Sequence, residues 1–365
     1  MLMVSGVWAQ SITPVKICDL PVTLGETSGL EGNGANKFLT HNDSGNEPLV
    51  YVFDSSGAIK RSIRITNAGN TDWEDLSKDN KGNIYIGDFG NNNNDRNNLK
   101  VYIIADPNTF SKDSTIATIL NFSYPDQKAF PPSADQQNFD MEAFFWFKDS
   151  LYLFSKNRST PYSGYTKCYQ LPAKSGTYTA RLIDSFYTGN GSYLNYSITS
   201  AAINGTGNKV VLLGYDKCWI FSGFSGNRFL KGKVDTYYFS GLTQKEAVYF
   251  ENDYQLLFTQ ETSVLGNAGL YRAYLPNPAN WVLNQKEKYE FEIFPNPSSD
   301  FFEVSVQASA KTIIVEAAIF DGKGIRIKLL QLEIGQINTI DWSDLPAGSY
   351  FLKLCNGQSK KLLKL

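Results

Sequence analysis

Five polar residues recur at the heads of short apolar segments: Ser28 in "TSGLEG", Glu74 in "DWEDLS", Glu142 in "DMEAFF", Ser200 in "ITSAAI" and Glu246 in "QKEAVY". A carboxylate opening a buried strand is costly unless it is paired, hydrated or bound to a cation. Three such carboxylates brought together would repel one another by roughly a few kcal/mol at an effective dielectric near 20. Carboxylate and hydroxyl oxygens are the ligands that Ca2+ uses, so Glu74, Glu142 and Glu246 with Ser28 and Ser200 are a candidate metal set. Lys156, water and shifted carboxyl protonation would neutralise the same cluster without a metal.

A second polar group sits at the ends of the segments that follow. It comprises Asp43 in "HNDSGN", Asp88 in "GDFGNNNNDR", Lys156 in "SKNR", Tyr215 in "GYDK" and Glu261 in "TQET". These five are the candidate ligand-binding residues, and the Asp-x-Gly units around Asp43 and Asp88 are explained as well by Asx-turn chemistry. His41 beside Asp43 and Ser44 lacks the spacing of a catalytic triad, and no GxSxG elbow is present. The tract "NNNNDRNN" reads as a solvated turn.

The elements that must position these residues form a repeat. The five strand heads are separated by 46, 68, 58 and 46 residues. Each is followed by a second strand ("KFLTHND", "NIYIGDFG", "SLYLFSKN", "KVVLLGYD", "YQLLFTQE") and a third with an aromatic at a matching place, Tyr51, Tyr102, Tyr169, Trp219 and Tyr271. Fourth strands follow in four copies, and the N-terminal "VKICDL" is free to complete the fifth. Four antiparallel strands per unit are the signature of a β-propeller blade, whose first strand lines a central channel. The expected fold is therefore all-β: a five-bladed propeller over residues 11–283, a linker at 284–290 and a small Ig-like sandwich over 291–365. A six-bladed ring with a degenerate blade near residues 105–137 is the alternative.

Composition narrows the function. A formal charge of −2 gives no electrostatic reason for a nucleic-acid or anionic-membrane partner. Four cysteines without CxxC spacing and one histidine offer no zinc site. No apolar run is long enough to span a bilayer. The opening "MLMVSGVWAQ" reads as the tail of a secretory signal peptide over residues 1–10.

The last 75 or so residues carry "FPNPSSD" (Pro295, Asn296, Pro297, Asp300), "IFDGKG" (Asp321, Gly322, Gly324), "IDWSDLPAGSYFLKL" (Asp341, Leu345, Pro346, Ala347, Gly348, Tyr350) and a basic end, "KKLLKL". From about Phe291 to Leu365 this segment resembles the C-terminal sorting domain of type IX secretion cargo in the Bacteroidetes. The resemblance implies export by a signal peptide, passage through the outer-membrane translocon, and attachment to the cell surface or release. The preceding part resembles a group of secreted Bacteroidetes propeller proteins through "HNDSGN", "TDWEDLS", "YIGDFGNN" and "DMEAFFWFKDSLYLFSKN", and no activity comes with that likeness. More loosely, its Glu-headed strands are similar to those of calcium-dependent five-bladed nucleotidases and phytase-like propellers, whose catalytic motifs do not align here.

The expectation is a secreted or outer-membrane-surface propeller that binds an extracellular ligand at its channel mouth with Ca2+ and acts as a binding or adhesion module. Its one identified partner is the type IX machinery. The alternatives are a Ca2+-dependent hydrolase of phosphoesters or lactones, with Asp43, Asp88 or His41 as base, and a structural surface protein.

Overall fold

Segments of four to eight residues rich in Val, Ile, Leu and aromatics, separated by Gly, Asn and Asp turns, favour antiparallel strands over any other element. A computed structural model of the protein describes residues 10–239, 242–276, 289–308, 314–322, 326–355 and 357–365. Pro14–Ala273 forms one compact unit and Tyr274–Leu365 belongs to another. Of the expected signal-peptide segment only residue 10 is described. Of the expected linker only 289 and 290 are, and they already belong to the strand Tyr289–Phe294.

In the first unit, four of five sheets have their own first, second, third and fourth strands in antiparallel order, and the fifth has its own first three. The first strands are Thr27–Gly32, Trp73–Lys78, Asp140–Phe147, Ser200–Ile203 and Lys245–Asn252. They lie side by side in that cyclic order, with Lys245–Asn252 again beside Thr27–Gly32, a propeller-type arrangement. The last sheet takes its outermost strand from Val15–Asp19, which pairs antiparallel with Gly269–Tyr274. A strand from the start of this unit closing its final sheet ties the unit's two ends together and covers an edge that would otherwise be open.

Residues 105–137 contribute to sheets already named. Ser114–Thr115 adds in parallel to the strand Ile59–Ile65, and Thr118–Ser123 is the fourth strand of the second sheet, with Gly176–Thr179 added in parallel outside it. Apolar cores fill the spaces between successive sheets. Val50, Ile63, Ile84 and Ile86 pack between the first two; Phe89, Phe144, Leu153 and Tyr169 between the next two; and Phe145, Phe154, Leu212 and Phe221 after those.

Serine and aspartate side chains stitch neighbouring first strands together. The Ser28 hydroxyl donates to the Glu74 carbonyl. Asp75 Oδ2 accepts from the Phe144 N–H at 3.3 Å and from the Ser200 hydroxyl at 3.0 Å. The Val248 N–H in turn donates to Ser200 Oγ at 3.1 Å. These bonds occupy the crowded centre, where backbone groups from different sheets cannot all pair with each other.

The second unit is a pair of antiparallel sheets sharing one core. Three strands, Tyr289–Phe294, Phe301–Ala308 and Ile337–Asp341, face four, Arg326–Glu333, Ile314–Asp321, Gly348–Leu354 and Ser359–Lys364. Alternating burial along Gly348–Leu354 sends Tyr350, Leu352 and Leu354 inward against Trp342 and Phe302. The "FPNPSSD" segment pins the final strand: Asn296 Nδ2 donates to the Lys361 carbonyl at 2.7 Å and its Oδ1 accepts from the Leu363 N–H at 2.9 Å. Among the described residues no helix is long and apolar enough to cross a membrane.

Candidate functional site

The glutamate-headed strands share a local irregularity. Register slips between Trp73 and Leu76, between Met141 and Ala143, and between Lys245 and Ala247, so Glu74, Glu142 and Glu246 each fall in the gap. An extra residue inserted in a strand is left unpaired and its side chain is re-aimed. Ser28 and Ser200 are themselves in register, opposite His41 and Leu213, and on the Ser28 strand the slip comes just after, between Ser28 and Glu31. Their hydroxyls are spent on the inter-sheet bonds described above, so the carboxylates turn toward one end of the channel while the serines act as latches.

That end is a bowl with an acidic floor. Glu74, Asp140, Glu142, Glu246 and Glu261 are buried, and half-buried Asp43 and Asp72 stand above them. One oxygen from each of Asp43, Asp72 and Glu74 lies within 4.8 Å of the others, and the same holds for Glu74, Asp140 and Glu142. Glu74 is common to both triads.

Two side-chain cations enter the bowl, and both go to one side. Lys156 Nζ is 3.0 Å from Glu142 Oε2. Arg158 reaches Asp140 at 2.6 Å and Glu142 at 3.3 Å, with its guanidinium over the Tyr193 ring at 5.0 Å. Asp140 also accepts from the Asn91 N–H at 2.6 Å. No hydrogen bond or ion pair reaches the Glu74 carboxylate among the described residues, although Glu74 is only 5% exposed.

Protonation follows from this crowding. Burial and then Glu142, Asp43, Asp72 and Asp140 push Glu74 well above the ordinary carboxyl range. Burial and then Asp140 raise Asp72 to about 6, and burial raises Asp43 to about 6 as well. Asp140, Glu246 and Glu261 are raised for the same first reason, with Glu142 the next cause for Asp140 and Glu246 for Glu261. For Lys156 burial works against the charge, yet Glu142, Tyr215 and Glu246 outweigh it and hold the ammonium.

The five residues read as a ligand-binding group are distributed as follows. Asp43, Lys156, Tyr215 and Glu261 meet at the bowl. The Tyr215 hydroxyl donates to Glu246 Oε1 at 3.2 Å, its ring lies 5.5 Å from Lys156 Nζ, and Glu261 accepts from Gln244 at 2.6 Å. Asp88 is buried behind it, held by Arg96 at 2.8 Å and accepting from the Asp72 N–H at 3.2 Å, so it braces Asp72 from below. His41 is fully buried, edge-on to Trp73 at 5.4 Å, and burial lowers its pKa to about 4. A histidine so placed is a neutral packing residue, which removes it from the set of possible bases.

Several site residues were missed from sequence: Asp72, Asp75, Asp140, Arg158 and Asn91. The signal for two of them is the doubled unit Asp72-x-Glu74 and Asp140-x-Glu142, since residues two apart share one side of a strand. The asparagine tract, read as a solvated turn, is partly structural. Asn91 and Asn94 are buried, Asn94 Oδ1 accepts from the Phe139 N–H at 2.7 Å, and Asn92 accepts from Arg158. Asparagine both donates and accepts, which lets this loop close over groups that would otherwise be stranded.

Residues 292–365 match the family of secretion system C-terminal sorting domains. No curated protein matches the sequence. Among solved structures, the chain is similar to the PQQ-bound aldose sugar dehydrogenase of Streptomyces coelicolor, at 8% identity and a TM-score of 0.45, over 72% of this chain and 98% of that one. It is also similar to a gluconolactonase of Xanthomonas campestris, at 12% identity and a TM-score of 0.39, over 74% and 87%. Likeness at that level transfers no activity. The C-terminal sorting domain, by contrast, makes this protein a cargo of type IX secretion, delivered to the cell surface or beyond.

Proposed function

We propose that residues 11–283 are a five-bladed β-propeller that binds an extracellular ligand at its channel mouth with the help of Ca2+, as a binding or adhesion module on the cell surface. Residues 291–365 are its Ig-like sorting domain, 284–290 the linker and 1–10 the end of a signal peptide. The observation that carries this reading is the convergence of Asp43, Asp72, Glu74, Asp140, Glu142, Glu246 and Glu261 on one bowl that contains the cations Lys156 and Arg158. An excess of oxygen anions in a partly buried site is what a hard divalent cation relieves.

A thermal melt of the full-length protein in EDTA and in excess Ca2+ tests the reading. A native-state ligand must raise the melting temperature by mass action, and equal melting temperatures would remove the cation.

A second reading, a Ca2+-dependent hydrolase of phosphoesters or lactones, draws on Glu261. Burial and then Glu246 keep its carboxyl protonated, as a general acid requires. Turnover of p-nitrophenyl phosphate or a simple aldonolactone that needs Ca2+ and is lost in Glu261→Gln would favour it over the binding module.

A further inference from the structure

The bowl is not uniform, and its two carboxylate triads differ in one respect that decides where a cation can sit. In the triad Glu74, Asp140 and Glu142, the last two already have cationic partners in Arg158 and Lys156 at 2.6 to 3.3 Å. A metal there would have to displace or face two fixed positive charges. In the triad Asp43, Asp72 and Glu74, no lysine or arginine pairs with any carboxylate among the described residues. Deepening the reading of a cation-assisted channel mouth, on which this step rests, we propose that the protein holds one Ca2+-class cation between Asp43, Asp72 and Glu74, with Lys156 and Arg158 as permanent counter-ions of the neighbouring acids.

Two observations beyond the acidity point to a ligand. Glu74, 95% buried by its 5% exposure, aims a carboxylate with no donor into the shared space between the triads. A side chain this buried normally finds a protein donor for its carboxyl group. The second is Gly90, where a Cβ would fall 2.1 Å from Glu74 Oε1 and 2.5 Å from the Asp72 carboxyl carbon. A side chain at that position would fill the cradle, so the backbone comes close where the two acids meet.

The ligands are also pre-positioned. The Asp72 carbonyl accepts from the Gly90 N–H at 3.1 Å and its N–H donates to Asp88, itself clamped by Arg96. The Asp43 carbonyl accepts from Asn70 at 2.7 Å and Asn46 at 3.1 Å. All three donor groups are oxygen, with no histidine or cysteine in the triad, which selects hard cations over zinc or copper. Oxygens on opposite sides of one Ca2+ are about 5 Å apart, given Ca–O lengths of about 2.3–2.6 Å. The 4.8 Å limit on the triad therefore fits a single Ca2+.

Calcium titration by calorimetry on the full-length protein tests the assignment. The expected result is one Ca2+ per chain, with affinity reduced at least tenfold in both Asp72→Asn and Glu74→Gln and reduced clearly less in Asp140→Asn than in either. Far-UV circular dichroism checks that each variant is folded, and two independent ligand variants guard against one failing to fold. A loss in Asp140→Asn as large as in Asp72→Asn would overturn the placement while leaving a cation-assisted mouth intact. Wild-type protein that binds no Ca2+ would overturn both.

Discussion

Strand heads at the same place in the repeat have diverged into two jobs. Ser28 and Ser200 stay in register and bond across to the next sheet. Glu74, Glu142 and Glu246 fall in register gaps and face the bowl. A short hydroxyl can reach a neighbouring strand and satisfy its backbone, while a longer carboxylate at the same height would bury a charge. One extra residue in the strand turns that charge toward the open end instead. The same position therefore holds the ring together or equips its mouth, depending on the side chain and on whether the slip encloses it, as at Glu74, or follows it, as at Ser28.

The comparison breaks most severely where a buried charge loses its partner. Lys156→Met leaves Glu142 with only the longer contact to Arg158, and the variant is expected to lose about 3–5 kcal/mol in denaturant unfolding. Next comes Asp75→Ala, which strips acceptors from the Phe144, Ser200 and Leu76 donors in the centre of the ring. About 3 kcal/mol should go, and Asp75→Asn should recover part of it. On the serine side, Ser200→Ala removes the link between Asp75 and the Val248 N–H and is expected to cost about 1–2 kcal/mol. Glu74→Gln, by contrast, should leave cation-free stability unchanged or higher.

A pH series separates the two classes further. Asp43 and Asp72 have folded values near 6, above their unfolded value of 3.8. In EDTA their contribution is full below about pH 4 and is lost as pH rises through 6, so the melting temperature should fall between about pH 4 and 6 and level off above. Saturating Ca2+ should flatten that fall. The smallest effect is at Glu31, which burial raises to about 7. It faces Lys78 and Tyr249, on the other side of the sheet centre from the bowl. Glu31→Gln should be more stable than wild type at pH 8, by about 1 kcal/mol after solvent screening of this part-exposed group, and equal to it at pH 4. That gain should be indifferent to Ca2+.

Much of this was legible in the chain. Strand columns marked by Tyr51, Tyr102, Tyr169, Trp219 and Tyr271 coincide with third strands of successive sheets, because each must fill the same gap between sheets. The acidic heads were visible as departures from apolar patterning. What could not be read was partner choice. Arg158 lies 16 residues beyond Glu142 and meets it only because the hairpin Asp140–Lys156 folds back. Asp75 looks like any second acid in "WEDLS", and only the convergence of three first strands makes it a shared acceptor. His41 has the composition of a base, yet its neighbour Trp73 and its burial make it part of the packing.

The most direct test of the account is a crystal of the full-length protein grown with Tb3+ in place of Ca2+ and measured at an anomalous wavelength. The account predicts one strong peak bounded by Asp43, Asp72 and Glu74, with Lys156 and Arg158 still on Glu142 and Asp140. A peak among Glu142, Asp140 and Glu246 instead, with Lys156 displaced, would contradict it.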